Sequence, residues 1–379
     1  MTMRIGIDVS PLATRRTGVG NYCAHLVKHL AASAPDVELH GFSSGLRAWN
    51  PVSEPGLSTG RHLRLPTRAL YRLWDWTGLP KADRLLGGVD VFHGVNYVLP
   101  PLEHAKGVLT IHDLAFLRHP ELCSPRIAGY FAQNIRRFAQ QADAIIACSE
   151  ATRRDISELL AISAERVITI YEGADHRFQP MDRAEATERV RKTWNITGPY
   201  FVFVGAIEPR KNLTTLVEAF ARVSQELPHH LVLAGGVGWR AEPVFDAIER
   251  HGMNARVQRI GYVAHDDLPA LYAAAEAMVF PSLYEGFGLP VIEAMACGCP
   301  VITADNSSLP EVAGEAGLLV QATDIEALAN AMRRLATDAA LRDFMRMAGL
   351  QQAGRFSWET TARQTLDVYR HVWEEGGVR

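Results

Sequence analysis

Short apolar runs rich in β-branched residues alternate with amphipathic segments of helical period along almost the whole chain. Such runs, bounded by turn signals and separated by helices, are typical of parallel strands covered on both faces. The pattern therefore predicts an α/β doubly wound fold. The N-terminal half supplies "RIGIDV" (4–9), "VGNYCAHLVKHLAAS" (19–33), "VDVFHG" (89–94), "KGVLTIHD" (106–113), "ADAIIACSE" (142–150) and the helix "SEATRRDISELL" (149–160).

The pattern restarts near Gly198, and a chain of 379 residues is long enough for two domains. We predict an N-terminal domain over 1–185, a C-terminal domain over 186–356, and a closing helix over 357–379 that packs back on the N-terminal domain. The second domain's strands are expected in "YFVFV" after Gly198-Pro199, "HHLVLAGGVG" (229–238), "RVQRIGYV" (256–263), "AMVFPS" (277–282) and "CPVITAD" (299–305). A ligand between the two domains would face strand carboxyl ends on both sides.

Composition excludes several functional classes. The formal net charge is −3, whereas a general nucleic-acid binder is usually basic. The five cysteines are an odd number in a long chain, which favours reduced thiols in the cytoplasm over a disulfide framework. The start of the chain lacks the pattern of a secretory signal, and no apolar stretch is long enough for a membrane span. We therefore expect a cytoplasmic protein.

Two glutamates flank a glycine-rich turn in "YEGFGLPVIEAMACGCPVI" (284–302). Pro290 suits the first position of a helix that follows a strand, so the turn lies at a strand's carboxyl end. Gly286 and Gly288 let backbone N–H groups approach an anion there. Glu293, one turn into the helix, suits a vicinal diol such as that of ribose, and Glu285 suits sugar hydroxyls. The alternative is that a glutamate here only complements the helix dipole.

A second candidate site for phosphate lies in "VGAIEPRKN" (204–212). Arg210 and Lys211 follow a strand and precede a helix that begins near Leu213, where two cations would neutralise a diphosphate. The alternative is a solvated basic turn. No Walker A motif occurs in the chain.

The N-terminal domain offers two further candidates. Gly18 and Gly20 end a long loop after the first strand and allow close approach of an anion, but Cys23 stands where a dinucleotide fingerprint needs its third glycine. We therefore reject NAD binding. His112 and Asp113 follow another strand and are candidates for contacts to a polar substrate. Cys297 and Cys299, in contrast, are read as small apolar residues, since no second pair lies at metal-ligand spacing.

Seven motifs in order resemble the retaining glycosyltransferases of family 4, which have the GT-B fold of two Rossmann-like domains facing each other across a cleft. They are "TGVGNY", "HDL", "ACSEATRRDI", "YEGAD", "VGAIEPRKN", "FPSLYEGFGLPVIEAMACGCPVI" and "SLPEVAGEAGLLV". The resemblance implies that Glu293 holds the nucleotide ribose and that Arg210 and Lys211 bind the diphosphate. It implies contacts to the donor sugar from His112, Glu285 and the amides of the turn Gly286, Phe287, Gly288 and Leu289.

The same resemblance places the loop with Gly18 and Gly20 over the diphosphate and Tyr262 beside the base. One position departs from the family pattern, since Ala206 stands where many members carry an arginine. Arg210 is then the candidate to replace it.

The implied reaction moves a hexose, with mannose favoured, from a nucleotide-diphosphate sugar to a glycan or lipid-linked glycan of bacterial surface polysaccharides. We expect a GDP-sugar donor, no cofactor and no metal, since no Asp-x-Asp motif occurs. Retention would follow front-face substitution, with Glu285 and Asp113 as the carboxylates to test as nucleophiles. A nucleotide-sugar epimerase of the same fold and a non-catalytic sugar-nucleotide sensor are the alternatives.

The segment 60–84, "GRHLRLPTRALYRLWDWTGLPKADR", has six Lys or Arg against two Asp, interleaved with leucines and aromatic residues. This composition suits a helix resting on anionic lipid. We therefore expect a peripheral contact with the inner face of the plasma membrane. The alternative is a helix that packs its Leu and Trp residues into the domain and leaves its arginines in water.

Overall fold

The computed structural model describes residues 2–13, 18–47 and 49–376. The chain forms two compact units. Unit 1 comprises Met1–Arg118, Arg126–Gly173 and Trp358–Arg379, and unit 2 comprises His119–Pro125 and Ala174–Ser357. The main crossing therefore lies after Gly173, earlier than the predicted boundary after residue 185.

Each unit contains one parallel sheet, as predicted. Unit 1 has β1 (Met3–Asp8), β2 (Val37–Ser44), β3 (Thr59–Leu63), β4 (Val91–Gly94), β5 (Lys106–Ile111), β6 (Ala144–Ala147) and β7 (Val167–Thr169). Unit 2 has β8 (Tyr200–Val204), β9 (His230–Ala234), β10 (Val257–Gly261), β11 (Ala277–Phe280), β12 (Val301–Ala304) and β13 (Gly317–Val320).

Helices connect the strands and cover the sheets. They are α1 (Gly18–Ser33), α2 (Thr67–Thr77), α3 (Ala82–Leu85), α4 (Ala115–Arg118), α5 (Pro125–Gln141), α6 (Glu150–Leu160), α7 (Arg183–Trp194), α8 (Leu213–Val223), α9 (Glu242–Arg250), α10 (Leu268–Ala274), α11 (Leu289–Ala296), α12 (Leu309–Ala313), α13 (Ile325–Thr337), α14 (Ala339–Ala353) and α15 (Trp358–Gly376). None of the helices within the described ranges is long and apolar enough to cross a membrane.

The strand order in unit 1 is β3-β2-β1-β4-β5-β6-β7, and all neighbours are parallel. The central strands β4, β5 and β6 are almost completely buried, which explains their continuous apolar sequences. The order reverses between β1 and β4, so the loops that follow these strands leave a crevice at their carboxyl ends.

The strand order in unit 2 is β10-β9-β8-β11-β12-β13, again parallel throughout. The order reverses between β8 and β11. Helix α7 belongs to this unit, because it packs on α10 and Arg183 pairs with Glu276 at 3.0 Å. Although the sequence of α7 is highly charged, its buried Ala186 and Val190 show that one face of the helix is packed on the unit.

The last helix, α15, packs on α1 and on strands of unit 1. Trp358 stacks on His25 with 4.9 Å between ring centroids. The Tyr369 hydroxyl lies 2.6 Å from Nδ1 of the fully buried His93. An aromatic contact at the start of the helix and a hydrogen bond nearer its end thus attach the last part of the chain to unit 1.

Candidate active site

The loops after β8 and β11 form the candidate site of unit 2. These two strands are neighbours at the point where the strand order reverses, which is where open α/β sheets bind ligands. The Leu283 N–H donates to the Arg210 carbonyl at 2.8 Å, so the two loops are joined directly. The fold therefore brings together two motifs that lie far apart in the sequence.

Glu285 forms ion pairs with both predicted phosphate ligands. Its Oε1 lies 2.5 Å from Lys211 Nζ, and its Oε2 lies 3.0 Å from Nη1 of Arg210. Lys211 and Glu285 are both buried, and the Lys211 ammonium lies 4.9 Å from the centre of the Phe280 ring. A solvated basic turn, the alternative considered for Arg210 and Lys211, is therefore wrong.

Burial and charge act in opposite directions on this cluster. Burial tends to raise the pKa of the Glu285 carboxyl, but the charges of Arg210 and Lys211 outweigh it and hold that pKa below its usual value. Burial lowers the pKa of the Lys211 ammonium, and Glu285 opposes this effect. An anion that replaced the carboxylate would meet two cations already held in place.

Glu293 lies on α11, the helix that follows the turn, and is buried. The Tyr272 hydroxyl of α10 donates to its Oε2 at 3.4 Å. Burial, and then the Glu293 carboxylate, raise the pKa of Tyr272 far above its usual value. The tyrosine therefore stays protonated and keeps its donor directed at the carboxylate.

Two serines after β12 hold the backbone of the glycine-rich turn. The Ser307 hydroxyl accepts the Glu285 N–H at 3.0 Å. The Ser308 hydroxyl donates to the carbonyls of Glu285 at 3.0 Å and Phe287 at 2.7 Å. Gly288 has φ of 112°, a conformation that side chains rarely adopt, and it caps α11.

Helix α11 begins one residue earlier than expected, at Leu289, so Pro290 is its second residue and not its first. Leu289 therefore belongs to the first turn of the helix. Tyr262 follows β10, and 51% of its surface is exposed.

His112 and Asp113 follow β5 in unit 1. His112 is buried, with Nε2 2.9 Å from the Val95 carbonyl oxygen and Nδ1 3.3 Å from Oε1 of Glu172. The Asp113 N–H donates to the Tyr97 hydroxyl at 3.1 Å, while its carboxylate accepts the N–H of a neighbouring residue. The side chain of His112 is thus oriented from both of its nitrogens.

Gly18 and Gly20 lie in the first turn of α1, and not at the end of a loop as predicted, since this helix begins at Gly18. A Cβ at Gly18 would meet no atom within 4 Å, so space is open beside it. Residues 14–17 of the preceding loop lie outside the described residues, and the expected closure of this loop over a phosphate stays a prediction.

One group of three side chains within the described ranges could hold a metal ion. His112, Cys148 and Glu172 offer ligand atoms within 4.8 Å of one another. The Cys148 thiol donates to the His112 carbonyl, and burial, followed by the Glu172 charge, raises the pKa of this thiol far above its usual value. The Cys148 thiol, the His112 ring and the Glu172 carboxylate therefore each have a hydrogen-bond partner within unit 1.

Some residues of these sites were not identified from the sequence. Glu172 lies in the "YEGAD" motif and Ser308 in "SLPEV", but neither spacing indicated a partner. Their contacts connect positions that are 60 and about 20 residues apart. The one signal that would have pointed to Glu172 is a glutamate three residues beyond the end of a strand, β7.

Two family profiles match the chain. The family described as Glycosyl transferases group 1 matches residues 185–352, and Glycosyltransferase Family 4 matches residues 16–178. The chain is 32% identical to O-antigen chain mannosyltransferase B of Escherichia coli, over 97% of this chain and all of that protein. It is 31% identical to a D-inositol 3-phosphate glycosyltransferase of Salinispora tropica, over 99% of this chain and 86% of that protein.

Solved structures share the fold. Sucrose-phosphate synthase from Thermosynechococcus elongatus superposes with a TM-score of 0.80 at 24% identity, covering 98% of this chain and 100% of that one. WaaG, a glycosyltransferase involved in lipopolysaccharide biosynthesis, gives 0.71 at 17% identity, covering 97% and 99%. The two sheets and these matches confirm the predicted GT-B fold. The chain belongs to the group 1 and family 4 glycosyl transferases and is a glycosyltransferase.

Proposed function

We propose that this glycosyltransferase moves a mannosyl residue from a GDP-sugar to a glycan or lipid-linked glycan during synthesis of a surface polysaccharide. The ion-paired cluster of Arg210, Lys211 and Glu285 carries the donor part of this proposal, since it lies at the strand reversal of unit 2. Mannose and the O-antigen acceptor are supported by the relative from Escherichia coli, which matches along its whole length.

Each site residue has a role in donor binding that fits its chemistry. Arg210 and Lys211 would bind the diphosphate, because two fixed cations match its charge. Glu293 would accept hydrogen bonds from the ribose hydroxyls, and Tyr262 would lie beside the base. Glu285 and the amides after it would contact the sugar.

The residues of unit 1 would act at the sugar and at the phosphates of the donor. His112 and Asp113 would contact the sugar near its reacting carbon, while Gly18 and Gly20 would leave room for phosphate oxygens. His112 is suited to this role because both its ring nitrogens have oxygen partners that fix its orientation.

For the chemical step we propose front-face substitution without a metal. The bond from the anomeric carbon to the phosphate oxygen breaks, and the acceptor oxygen bonds to the same face of that carbon. The acceptor proton passes to the departing phosphate. Arg210 and Lys211 stabilise the charge that develops on the diphosphate. Trapping a glycosyl adduct on Glu285 or Asp113 would refute this mechanism.

The donor assignment is tested with a thermal-shift panel of GDP, UDP, dTDP and ADP, each without and with Mg²⁺. A ligand at a hundred times its dissociation constant adds roughly 2.7 kcal/mol to folding stability, which is measurable. We expect a metal-independent shift that is largest for GDP and is lost in Glu293→Ala. Transfer assays with GDP-mannose and UDP-glucose then identify the sugar. Absence of any shift and of any transfer would refute the proposed donor site.

We also propose a peripheral contact between unit 1 and anionic lipid. Around α2, Leu70 and Trp74 are buried, whereas Leu73 and Trp76 are exposed, with 87% of the Trp76 surface accessible. Three more leucines in this part of the chain are exposed, namely Leu46, Leu65 and Leu79. Four arginines of the same segment are also exposed, namely Arg61, Arg64, Arg68 and Arg72.

The charges of this segment favour contact with anionic lipid, because its arginines outnumber the acids that could neutralise them. Asp75 is paired with Arg137, and Asp83 is buried against backbone N–H groups, so neither acid opposes the arginines. Apolar side chains among exposed arginines are suited to the headgroup region of an anionic bilayer.

Co-sedimentation with phosphatidylglycerol vesicles at low salt tests this contact. We expect binding that falls in Trp76→Ser and in Arg68→Glu/Arg72→Glu. Phe344→Ser is the matched control, because Phe344 is a similarly exposed apolar residue in unit 2. Equal binding by all variants, or no binding by the wild type, would refute the contact.

A further inference from the structure

The hydroxyl of Ser308 is hydrogen-bonded to the backbone of the glycine-rich turn. Ser308 lies between β12 and α12, and its side chain is completely buried. It donates toward two carbonyls of the turn, those of Glu285 and Phe287. Because a hydroxyl has one proton, the two carbonyls share it, and both must face the same point.

The direction of these carbonyls sets the direction of two amides. Among the described residues, the one cis peptide bond is Leu79-Pro80, so the bonds 285–286 and 287–288 are trans. In a trans peptide the N–H is antiparallel to the C=O. The N–H groups of Gly286 and Gly288 therefore point away from Ser308, toward the opposite side of the turn.

The neighbouring Ser307 fixes the same turn from its other end. Its hydroxyl accepts the N–H of Glu285 and donates to Oδ1 of Asn306 at 3.0 Å. Asn306 in turn donates to the carbonyl of Ser282, directly after β11. Glu285 thus has its N–H held by one serine and its C=O by the other, which fixes the backbone from which its side chain projects.

We infer that Ser308 is a positioning residue, which directs the amides of Gly286 and Gly288 at hydroxyl oxygens of the donor sugar. The inference rests on the proposed function, because it takes the sugar to lie against this turn. Two amides in a fixed orientation donate to oxygen without reorganising during the reaction. The cations that would bind the diphosphate belong to another segment, residues 209–211, which is joined to the turn by Leu283 and Glu285, whereas the Ser308 hydroxyl donates to the turn itself.

This separation gives the experiment its sharpest readout. In Ser308→Ala we expect kcat with GDP-mannose to fall about tenfold to a hundredfold, as for other small displacements of binding groups. The dissociation constant of GDP, measured by calorimetry, should stay within about twofold of the wild type. Ser307→Ala, at a less buried position, should give the same division between kcat and GDP affinity.

Thr303→Val is the matched control. Thr303 is also completely buried. Its hydroxyl donates to the Phe280 carbonyl at 2.9 Å and so connects β12 to the last residue of β11, before the turn begins. Its removal costs a similar hydrogen bond, so thermal stability should fall comparably while kcat changes little. Ser308→Thr keeps the hydroxyl and should retain more activity than Ser308→Ala.

Two outcomes would overturn the inference. If Ser308→Ala keeps kcat within about threefold of the wild type, the turn does not need the hydroxyl for transfer. If GDP affinity falls as much as kcat, the serine has a general structural role. If either result is obtained with the variant while the wild type binds GDP and transfers mannose, the inference fails but the proposed function stands. Absence of GDP binding in the wild type refutes both.

Discussion

The Glu285 carboxylate lies between Arg210 and Lys211, where a bound anion would meet both cations. A diphosphate that binds these cations must therefore compete with the carboxylate. Glu285→Gln keeps the size of the side chain and removes the competing charge. We predict that this variant binds nucleotide diphosphates more tightly than the wild type, although it transfers sugar more slowly.

The expected size of both effects follows from the geometry. Hydrogen bonds to charged groups contribute about 1.5–3 kcal/mol each, and Glu285 makes one with each cation. Losing one charge from a buried ion pair destabilises a protein by about 3–5 kcal/mol, so the free variant should have a lower Tm. If diphosphate binding recovers about 1.4 kcal/mol of this loss, its affinity rises tenfold.

Calorimetric titration of GDP into the wild type, Glu285→Gln and Glu208→Gln measures the effect. Glu208 is the control, because it lies 3.4 Å from the same Arg210 but is more exposed than Glu285. Its substitution should change GDP affinity by no more than about twofold. If Glu285→Gln weakens GDP binding tenfold, the carboxylate supports the phosphate site and does not compete with it, and the reasoning fails.

Three further predictions concern His93, Gly235 and Tyr272. Burial, followed by the charge of a neighbouring histidine, lowers the pKa of His93 to about 3. The unfolded state then binds more protons below about pH 6.5, so stability is complete above that pH and falls by up to about 1.4 kcal/mol per unit toward pH 3. Urea unfolding of His93→Gln should show a flatter dependence, and an equally steep one would contradict this. Gly235→Ala should abolish stable folding, since its Cβ would lie 1.8 Å from a backbone oxygen. Gly236→Ala should fold, because no atom lies within 4 Å of the added Cβ. Equal Tm values for the two variants would contradict this prediction. Tyr272→Phe should weaken GDP about threefold to tenfold through Glu293, but leave pyrophosphate binding unchanged; equal losses for both ligands would count against this.

The sequence predicts the central strands well because they are buried on both faces and therefore continuously apolar. The strands that it missed are β2, β3, β7 and β13, three of which are at sheet edges. Edge strands contact water on one side, and β3 accordingly has the polar sequence "TGRHL". Hydrogen bonds to a neighbouring strand stabilise these edge strands, and the local sequence pattern does not identify that neighbour.

The residue types of the candidate site were also predictable, but their mutual contacts were not. Arg210, Lys211 and Glu285 each carry a recognisable local motif. Their ion pairs depend on β8 and β11 being neighbours, which is a property of the whole sheet. Ser308 begins one of the quoted motifs, but its contacts with the turn were not indicated, because a serine before a helix is most often a simple cap.

The connection between the two units affects how the chain can fold. Ala174 and Ser357, the ends of the long segment in unit 2, pair with each other as a parallel β-bridge. Once this segment has folded, its ends are together, so it no longer acts as a long open loop between α15 and the rest of unit 1. The entropic cost of closing a loop increases with the length of the loop, by about 0.6 kcal/mol for each doubling. Unit 2 is therefore expected to fold first as an inserted domain and to deliver Trp358 and Tyr369 to unit 1. A chain truncated after Ser357 should keep unit 2 folded while unit 1 loses part of its core.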